Sequence, residues 1–329
     1  MKGNDIMKKV RDIIAVMGAT LILLILAGFV PVASIVFLIC SGVPFAVFTS
    51  KYDLKLSVPV LIVTGFAYWF AAGHWANVVT TVAVSVLPGL VAGYMLGRKQ
   101  PFYSALLATC AFVGLGWILE FTLMDKIFGV SVDDLLNGIV EGTRQTMSVM
   151  VSQVTETGLI NNGVNLNGMF DEAIAMMNLM IHTYFPSFIV VLSMLMGYLT
   201  LRLSGFAIRK IKTADVRIVE FSRMRTPRSM TWIAVLLYLV YIFSEQGSSF
   251  WAVLANAVFI LYTIIAVCGF SLFDFWLGRV VRPAILRVLI YVATFLIAGL
   301  IFGLIIDVLV IAGILDSSRD FRRLGRIEE

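Results

Sequence analysis

The sequence predicts an all-α fold: a polytopic transmembrane helix bundle of about eight to ten membrane segments, with an outer amphipathic helical insertion. Three observations predict it. Of 329 residues, 60% are hydrophobic and 14% charged, where a soluble domain carries roughly 25% charged residues. Several apolar runs reach the roughly 20 residues that a helix needs to cross a bilayer. The cations gather in short stretches between those runs. The densest holds Arg202, Arg209, Lys210, Lys212, Arg217, Arg223, Arg225 and Arg228 against only Asp215 and Glu220. Lys and Arg near helix ends resist translocation, so this stretch is expected in the cytoplasm, and it sets the sidedness of the rest.

Lys8, Lys9 and Arg11 hold the N-terminus inside. The first apolar run, 13–30, lacks a convincing small-x-small cleavage site. A retained helix is therefore expected rather than a signal peptide. Ala15 and Ala19 on this run are spaced by four. Such spacing suits the approach of a partner helix and is also common in membrane helices generally. Pro31 ends the run, and a second, 32–48, leads back to Lys51 and Lys55. That pattern predicts a tight hairpin.

A third run, 56–72, reaches the outer side at Trp69, His74, Trp75 and Asn77. The fourth, 78–96, carries Gly89, Gly93 and Gly97 on one helix face, a surface for close packing against a partner helix. Arg98 and Lys99 bring the chain back inside. The fifth, 102–123, places Trp117 and Glu120 toward its outer end. Glu120 is either a functional ionisable group or a carboxylate reaching the headgroups.

Residues 124–169 are more polar, acidic on balance, and contain only Lys126 and Arg144 as cations. An extracytoplasmic insertion is expected. Val132, Leu135, Leu136 and Ile139 recur at helical spacing, as do Met147, Met150, Val151 and Val154. These predict amphipathic helices that lie on the membrane or cap the bundle. The Asn- and Gly-rich 158–168 reads as a turn or loop. A sixth membrane helix starts near Met169, bends at Pro186 and reaches Leu203. In the basic stretch, Phe206, Ile208, Ile211, Ile218, Val219 and Phe221 interleave with the cations, which predicts a short helix on the anionic inner leaflet.

Runs at 230–243 and 250–277 follow, with Asn256 in the second and Asp274 near its inner end. Asp274 is expected to pair with Arg279 or Arg282. The last run, 288–315, read as one helix would leave Arg319, Arg322, Arg323 and Arg326 outside. Two short helices broken near Gly299 and Gly303 would return them to the cytoplasm. Asp307 within this run is either a polar contact or a functional charge. The expected layout is thus 1–123, N-terminal membrane helices; 124–169, outer insertion; 170–203, membrane helix; 204–229, basic cytoplasmic loop; 230–316, C-terminal membrane helices; and 317–329, basic cytoplasmic tail.

The stretch Phe221-x-Arg223-x-Arg225-Thr226-Pro227 directly precedes a membrane run. The chain also closes with Gly313-Ile314-Leu315-Asp316-Ser317-Ser318-Arg319-Asp320-Phe321-Arg322-Arg323. In these two stretches it resembles YybS-type bacterial membrane proteins, which implies a multi-pass place in the cell membrane. That family is in turn distantly similar to the substrate-binding S components of energy-coupling-factor transporters. The similarity implies an outward-facing cavity and a small-residue first helix, here Ala15 and Ala19, that docks an energising subunit.

Enzyme signatures are sparse, and a membrane enzyme using Glu120 and one histidine is the weaker alternative. There is no Gly-Lys-Ser/Thr phosphate loop, no His-Glu-x-x-His and no Gly-x-Ser-x-Gly. Cys40, Cys110 and Cys268 lie in apolar runs without metal-ligand spacing and read as free thiols. No cofactor, metal or nucleic-acid partner is expected. At similar outer depth the topology collects Trp69, His74, Trp75, Asn77, Trp117, Glu120, Asn178, His182 and Tyr184. They form either a ligand-binding cavity or an interfacial aromatic belt. Two functions follow: a solute-binding or transport component, or a non-transporting scaffold. The scaffold would dock membrane lipid or a cytoplasmic protein through Arg209, Lys210, Lys212 and Arg217.

Overall fold

A computed structural model describes residues 2–156, 166–281, 283–298, 302–319 and 321–322. Among these residues the regular structure is entirely helical. Seven helices are long and apolar enough to cross a membrane. That number falls just below the expected eight to ten because α9 (Arg228–Phe243) and α11 (Ala284–Ala298) are only 16 and 15 residues long. The chain forms two compact units. Unit 1 comprises Met1–His182 and Leu192–Ile218, and unit 2 comprises Thr183–Val191 and Val219–Glu329.

In unit 1, α1 (Lys2–Phe29) and α2 (Ser34–Tyr52) form the hairpin expected at Pro31, through a single turn at Pro31–Ala33. Its open end is closed by Asp12, which accepts hydrogen bonds from Lys51 and, at 2.8 Å, from the Tyr52 hydroxyl. Asp53 then starts α3 (Leu54–Ala72), accepting the Leu54 N–H at 2.9 Å and an Arg98 N–H at 3.1 Å. The Leu54 N–H and then the Arg98 guanidinium hold this carboxyl below the usual carboxylate range.

Next, α4 (Trp75–Thr81), a π turn (Val82–Val86) and α5 (Leu87–Gly97) run on as one rod. Pro88 has no N–H to give to Val84, and its ring crowds that carbonyl; the widened π turn absorbs the misfit. Gly89, Gly93 and Gly97 on α5 meet Gly42, Ala46 and Ser50 on α2. A Cβ on Gly89 or Gly93 would overlap the facing backbone. The glycine face expected to serve a partner is therefore filled by the chain's own second helix. Val16, Leu24, Phe45, Phe48, Val60, Val86 and Leu90 pack the core around it.

Helix α6 (Phe102–Leu123) lays Gly116 on the Ala83 and Val84 backbone and continues into a π turn, Met124–Phe128. Helix α7 (Val132–Glu156) occupies the stretch expected to form the outer insertion. Leu136 and Val140 are buried on it, whereas Ile139 and Met150, on the apolar face expected to lie on the membrane or cap the bundle, are exposed.

Helix α8 (Leu166–Ile211) is 46 residues long. It does not stop near Leu203 but continues through Arg209 and Lys210: no proline intervenes, Gly205 stays helical against Ile218, and buried Ile208 packs its last turn. The short separate helix expected in the basic stretch is therefore absent; 215–220 carries no helix, and Val216 is buried there instead. The Asn- and Gly-rich loop expected at 158–168 falls mostly outside the described residues.

Unit 2 contains residues 183–191 of α8, together with α9, α10 (Ser249–Val280), α11 and α12 (Phe302–Arg319). Ala234, Ile265 and Val310 form its core. Helix α12 runs parallel to α10 at backbone contact, with Gly313 on Ile265 and Gly269 on Leu309. Helix α11 runs the other way: Arg287 lies against Gly278 and Tyr291 against Phe270. The expected break near Gly299 lies outside the described residues, and Gly303 falls in the first turn of α12.

One carboxylate finds partners other than those expected. Asp274 accepts a hydrogen bond from Tyr291 and lies 3.9 Å from Arg287, both on α11. Arg279 instead stacks over the rings of Phe275 and Trp276, and Arg282 lies outside the described residues. A pairing within one helix loses here to a neighbouring helix that offers both a hydroxyl and a guanidinium. Asp307 accepts from the Tyr262 hydroxyl, a polar contact within the bundle.

Asn256 has a defined task. Pro186 interrupts the hydrogen-bond ladder of α8, and the Asn256 amide enters the opening. Its oxygen accepts the Ser187 N–H at 3.0 Å, and its NH2 donates to Thr183 O at 2.7 Å and Ala252 O at 2.8 Å. One side chain thus satisfies both backbone groups that the open turn has separated, as burial in an apolar medium demands.

Candidate functional site

Among the described residues, polar groups line an open groove between α7 and α8 in unit 1. The start of α7 is fixed by a reciprocal cap. The Ser131 N–H and hydroxyl both donate to Asp134, at 2.9 and 2.6 Å, and the Asp134 N–H returns to the Ser131 hydroxyl at 3.1 Å. These bonds, the hydroxyl's first, hold the Asp134 carboxyl below its usual range. From there α7 runs antiparallel to α8. His182 Nδ1 lies 3.6 Å from Asp133 at one end, and Arg144 lies 3.7 Å from Asp171 at the other. Between them opens a groove of about 680 Å³. Val140 and Ile174 form its apolar floor, and Asn137, Glu141, Arg144 and Asn178 line it. Arg144 also approaches Glu141 at 3.8 Å. The groove thus offers both charge signs and two carboxamides over an apolar base, the combination that orients a small polar solute.

Of the nine residues expected to share an outer cavity, the structure brings only Asn178 and His182 to this groove. Trp69 belongs to an exposed aromatic group with Phe66 and Phe70 on α3. His74 caps α4 by accepting the Ala76 N–H at 3.2 Å, and its ring stacks on Trp75 and lies against Phe128. Asn77 is exposed. Trp117 packs beside Ile39, Val84, Val113 and Met196, with its Nε1 buried and without a hydrogen bond. Glu120 is half-buried one turn further along. Tyr184 belongs to unit 2, where its hydroxyl lies 3.4 Å from that of Tyr241 and its ring against Phe259. Similar depth is therefore not a shared face: each side chain follows the azimuth of its own helix. Asn137, Glu141 and Arg144 were missed because, read alone, they are the solvent face of an amphipathic helix. Their spacing against Asp171 and Asn178 on an antiparallel neighbour was the available signal.

Ala15 and Ala19 are on the exposed face of α1, next to exposed Ile14 and Ile22. Arg209, Lys210, Lys212 and Arg217 are also exposed.

The two stretches that carry the sequence resemblance converge in unit 2. Arg322, with no exposed side-chain surface, pairs with Asp316 at 3.0 Å. It donates to Ser222 O at 2.5 Å, Ser271 Oγ at 2.8 Å and Cys268 O at 3.1 Å. Ser271 in turn donates to the Phe221 and Met224 carbonyls. Arg228 bonds the Ser317 and Ser318 carbonyls at 3.2 and 2.7 Å, closing the end of α12, and Thr231 bonds Ser317 at 2.9 Å. Composition gave no sign of this cluster, because the same arginines are equally explained as topology signals.

The sequence model of the family described as "Predicted membrane protein (DUF2232)" matches residues 18–317. The chain is 21% identical to the uncharacterised protein YybS of Bacillus subtilis (strain 168), over 90% of this chain and 91% of that protein. No solved structure matches.

Proposed function

We propose that this chain, which belongs to the DUF2232 family of predicted membrane proteins, is a solute-binding membrane component whose binding surface is the α7/α8 groove. The observation that carries this reading is the convergence of Arg144, Glu141, Asn137 and Asn178 over the apolar floor of Val140 and Ile174. Both charges and the Asn137 carboxamide on the α7 wall, facing the Asn178 carboxamide on the α8 wall, suit a small polar solute bearing both donor and acceptor groups. The likeness to S components is supported by the exposed Ala15 and Ala19, a small-residue face through which an energising membrane subunit could pack closely.

A thermal-shift screen of polar solutes against the purified protein in detergent tests the proposal. A solute is expected to raise the melting temperature of the native protein and to lose that effect in both Arg144→Ala and Asn178→Ala. A stabilising solute whose effect survives both substitutions would place binding elsewhere. Co-purification of a second membrane protein, lost on Ala15→Leu/Ala19→Leu, is the corresponding expectation for the energising partner.

A further inference from the structure

We propose that the basic end of unit 1 is a docking surface for anionic phospholipid headgroups, centred on Arg209, Lys210, Lys212 and Arg217. All four cations are exposed, and among the described residues none has a carboxylate partner. Their immediate surroundings are apolar. Phe206 and Ile211 are each 59% exposed beside them, and the Lys210 ammonium stands 6.0 Å over the Phe206 ring. About two turns earlier Arg202 stacks over Tyr198 in the same way. Aromatic and aliphatic side chains interleaved with cations suit a headgroup–acyl boundary, where the apolar parts enter the acyl region and the charges meet the headgroups.

The position along α8 points to the same occupant. Leu195, Leu199, Leu203 and Phe206 are exposed along one face of the helix, and Lys210 continues that line. From Leu195 to Lys210 the helix rises about 22 Å at its usual pitch. Half a hydrocarbon core is about 15 Å. A stripe that faces acyl chains therefore delivers its cations at headgroup depth. The cations of neighbouring helices lie at the same end. Ser50 Oγ, at the end of α2, is 3.2 Å from Thr213 Oγ1. Lys51 and Lys55 follow Ser50 in the chain, and Arg98 and Lys99 follow Gly97, which packs on the Ser50 backbone; all four are exposed, with Asp12 and Asp53 engaged against Lys51 and Arg98. The surface thus has a net positive charge complementary to an anionic leaflet. Each cation near such a leaflet strengthens attachment by roughly fivefold.

The test uses the full chain, purified in detergent and stripped of lipid. Native mass spectrometry measures the first bound phosphatidylglycerol against phosphatidylcholine of the same acyl chains. The native protein is expected to prefer phosphatidylglycerol by at least about tenfold, after allowance for screening. The preference should vanish in Arg209→Gln/Lys210→Gln/Lys212→Gln/Arg217→Gln. It should persist in the charge-keeping Arg209→Lys/Lys210→Arg/Lys212→Arg/Arg217→Lys. Should the neutralised variant fail to fold, the native protein's preference must still fall steeply as salt is raised. No preference in the native protein, a preference indifferent to salt and charge removal, or equally tight binding of polyglutamate or an RNA oligonucleotide would overturn the proposal.

Discussion

Arg322 shows how much a single side chain can constrain this fold. Its guanidinium bonds the 221–224 segment, α10 and α12 together, and its counter-ion Asp316 is almost as deeply buried. Removing one member of such a pair leaves an uncompensated charge in a low-dielectric interior, at a cost of about 3–5 kcal/mol. Arg322→Met should therefore lower the thermal stability of the purified protein sharply. Arg322→Met/Asp316→Leu should recover much of the loss, because neither charge remains to be desolvated. A double variant as unstable as the single one would mean that the hydrogen bonds to backbone carbonyls, not the charge pair, hold the cluster. A milder effect belongs to Asp134. Its pKa is depressed on folding, so its share of stability is complete above the ordinary value of 3.8 and is lost as pH falls through the lowered one. An acid titration of α7 helicity in the native protein, compared with Asp134→Asn, should show a transition below that value only in the native chain.

Among the elements, α8 and α5 carry the sharpest expectations. At Pro186 the Asn256 amide replaces a missing backbone bond. Asn256→Leu should cost about 2–4 kcal/mol, by leaving Thr183 O and the Ser187 N–H unmet. The same substitution in a Pro186→Ala background should cost clearly less, since the ladder can then close on itself. Equal costs in both backgrounds would show that Asn256 does not act through the interrupted turn; the two melting series decide. On α5, Gly93→Leu should disrupt the α2–α5 contact, whereas Gly18→Ala on α1, where nothing lies within 4 Å, should be tolerated.

These elements also show what could be read in advance. Pro31 disclosed a hairpin, and the glycine spacing disclosed a close-packed face, because backbone chemistry acts locally. Which helix meets that face depends on tertiary pairing. The same limit explains the aromatic and polar residues expected at a common outer depth: segment order suggests a depth and says nothing of azimuth. It also explains Asp274, whose partners Arg287 and Tyr291 arrive from the next helix.

Across the whole molecule, charge is arranged within each unit along the helix axes. In unit 2, Arg228 meets the end of α12, and the Arg279 and Arg322 guanidiniums share the Phe275 ring at the end of α10. In unit 1, Asn178 in the groove and Arg209 among the cations are 31 residues apart on one continuous helix. That is about 46 Å of helix, more than the roughly 30 Å hydrocarbon core. If α8 crosses the bilayer, the groove and the basic end emerge on opposite sides, with the cations facing the cytoplasm. The membership of a membrane-protein family and the apolar helices agree with a multi-pass location.

That opposition is tested most directly by cysteine labelling in intact cells. With Cys40, Cys110 and Cys268 replaced, a single cysteine is placed at Asn137 or at Lys210 and exposed to a membrane-impermeant maleimide. The account predicts labelling at 137 in intact cells and at 210 only after permeabilisation. Labelling of both positions from the same side, or the reverse order, would contradict it.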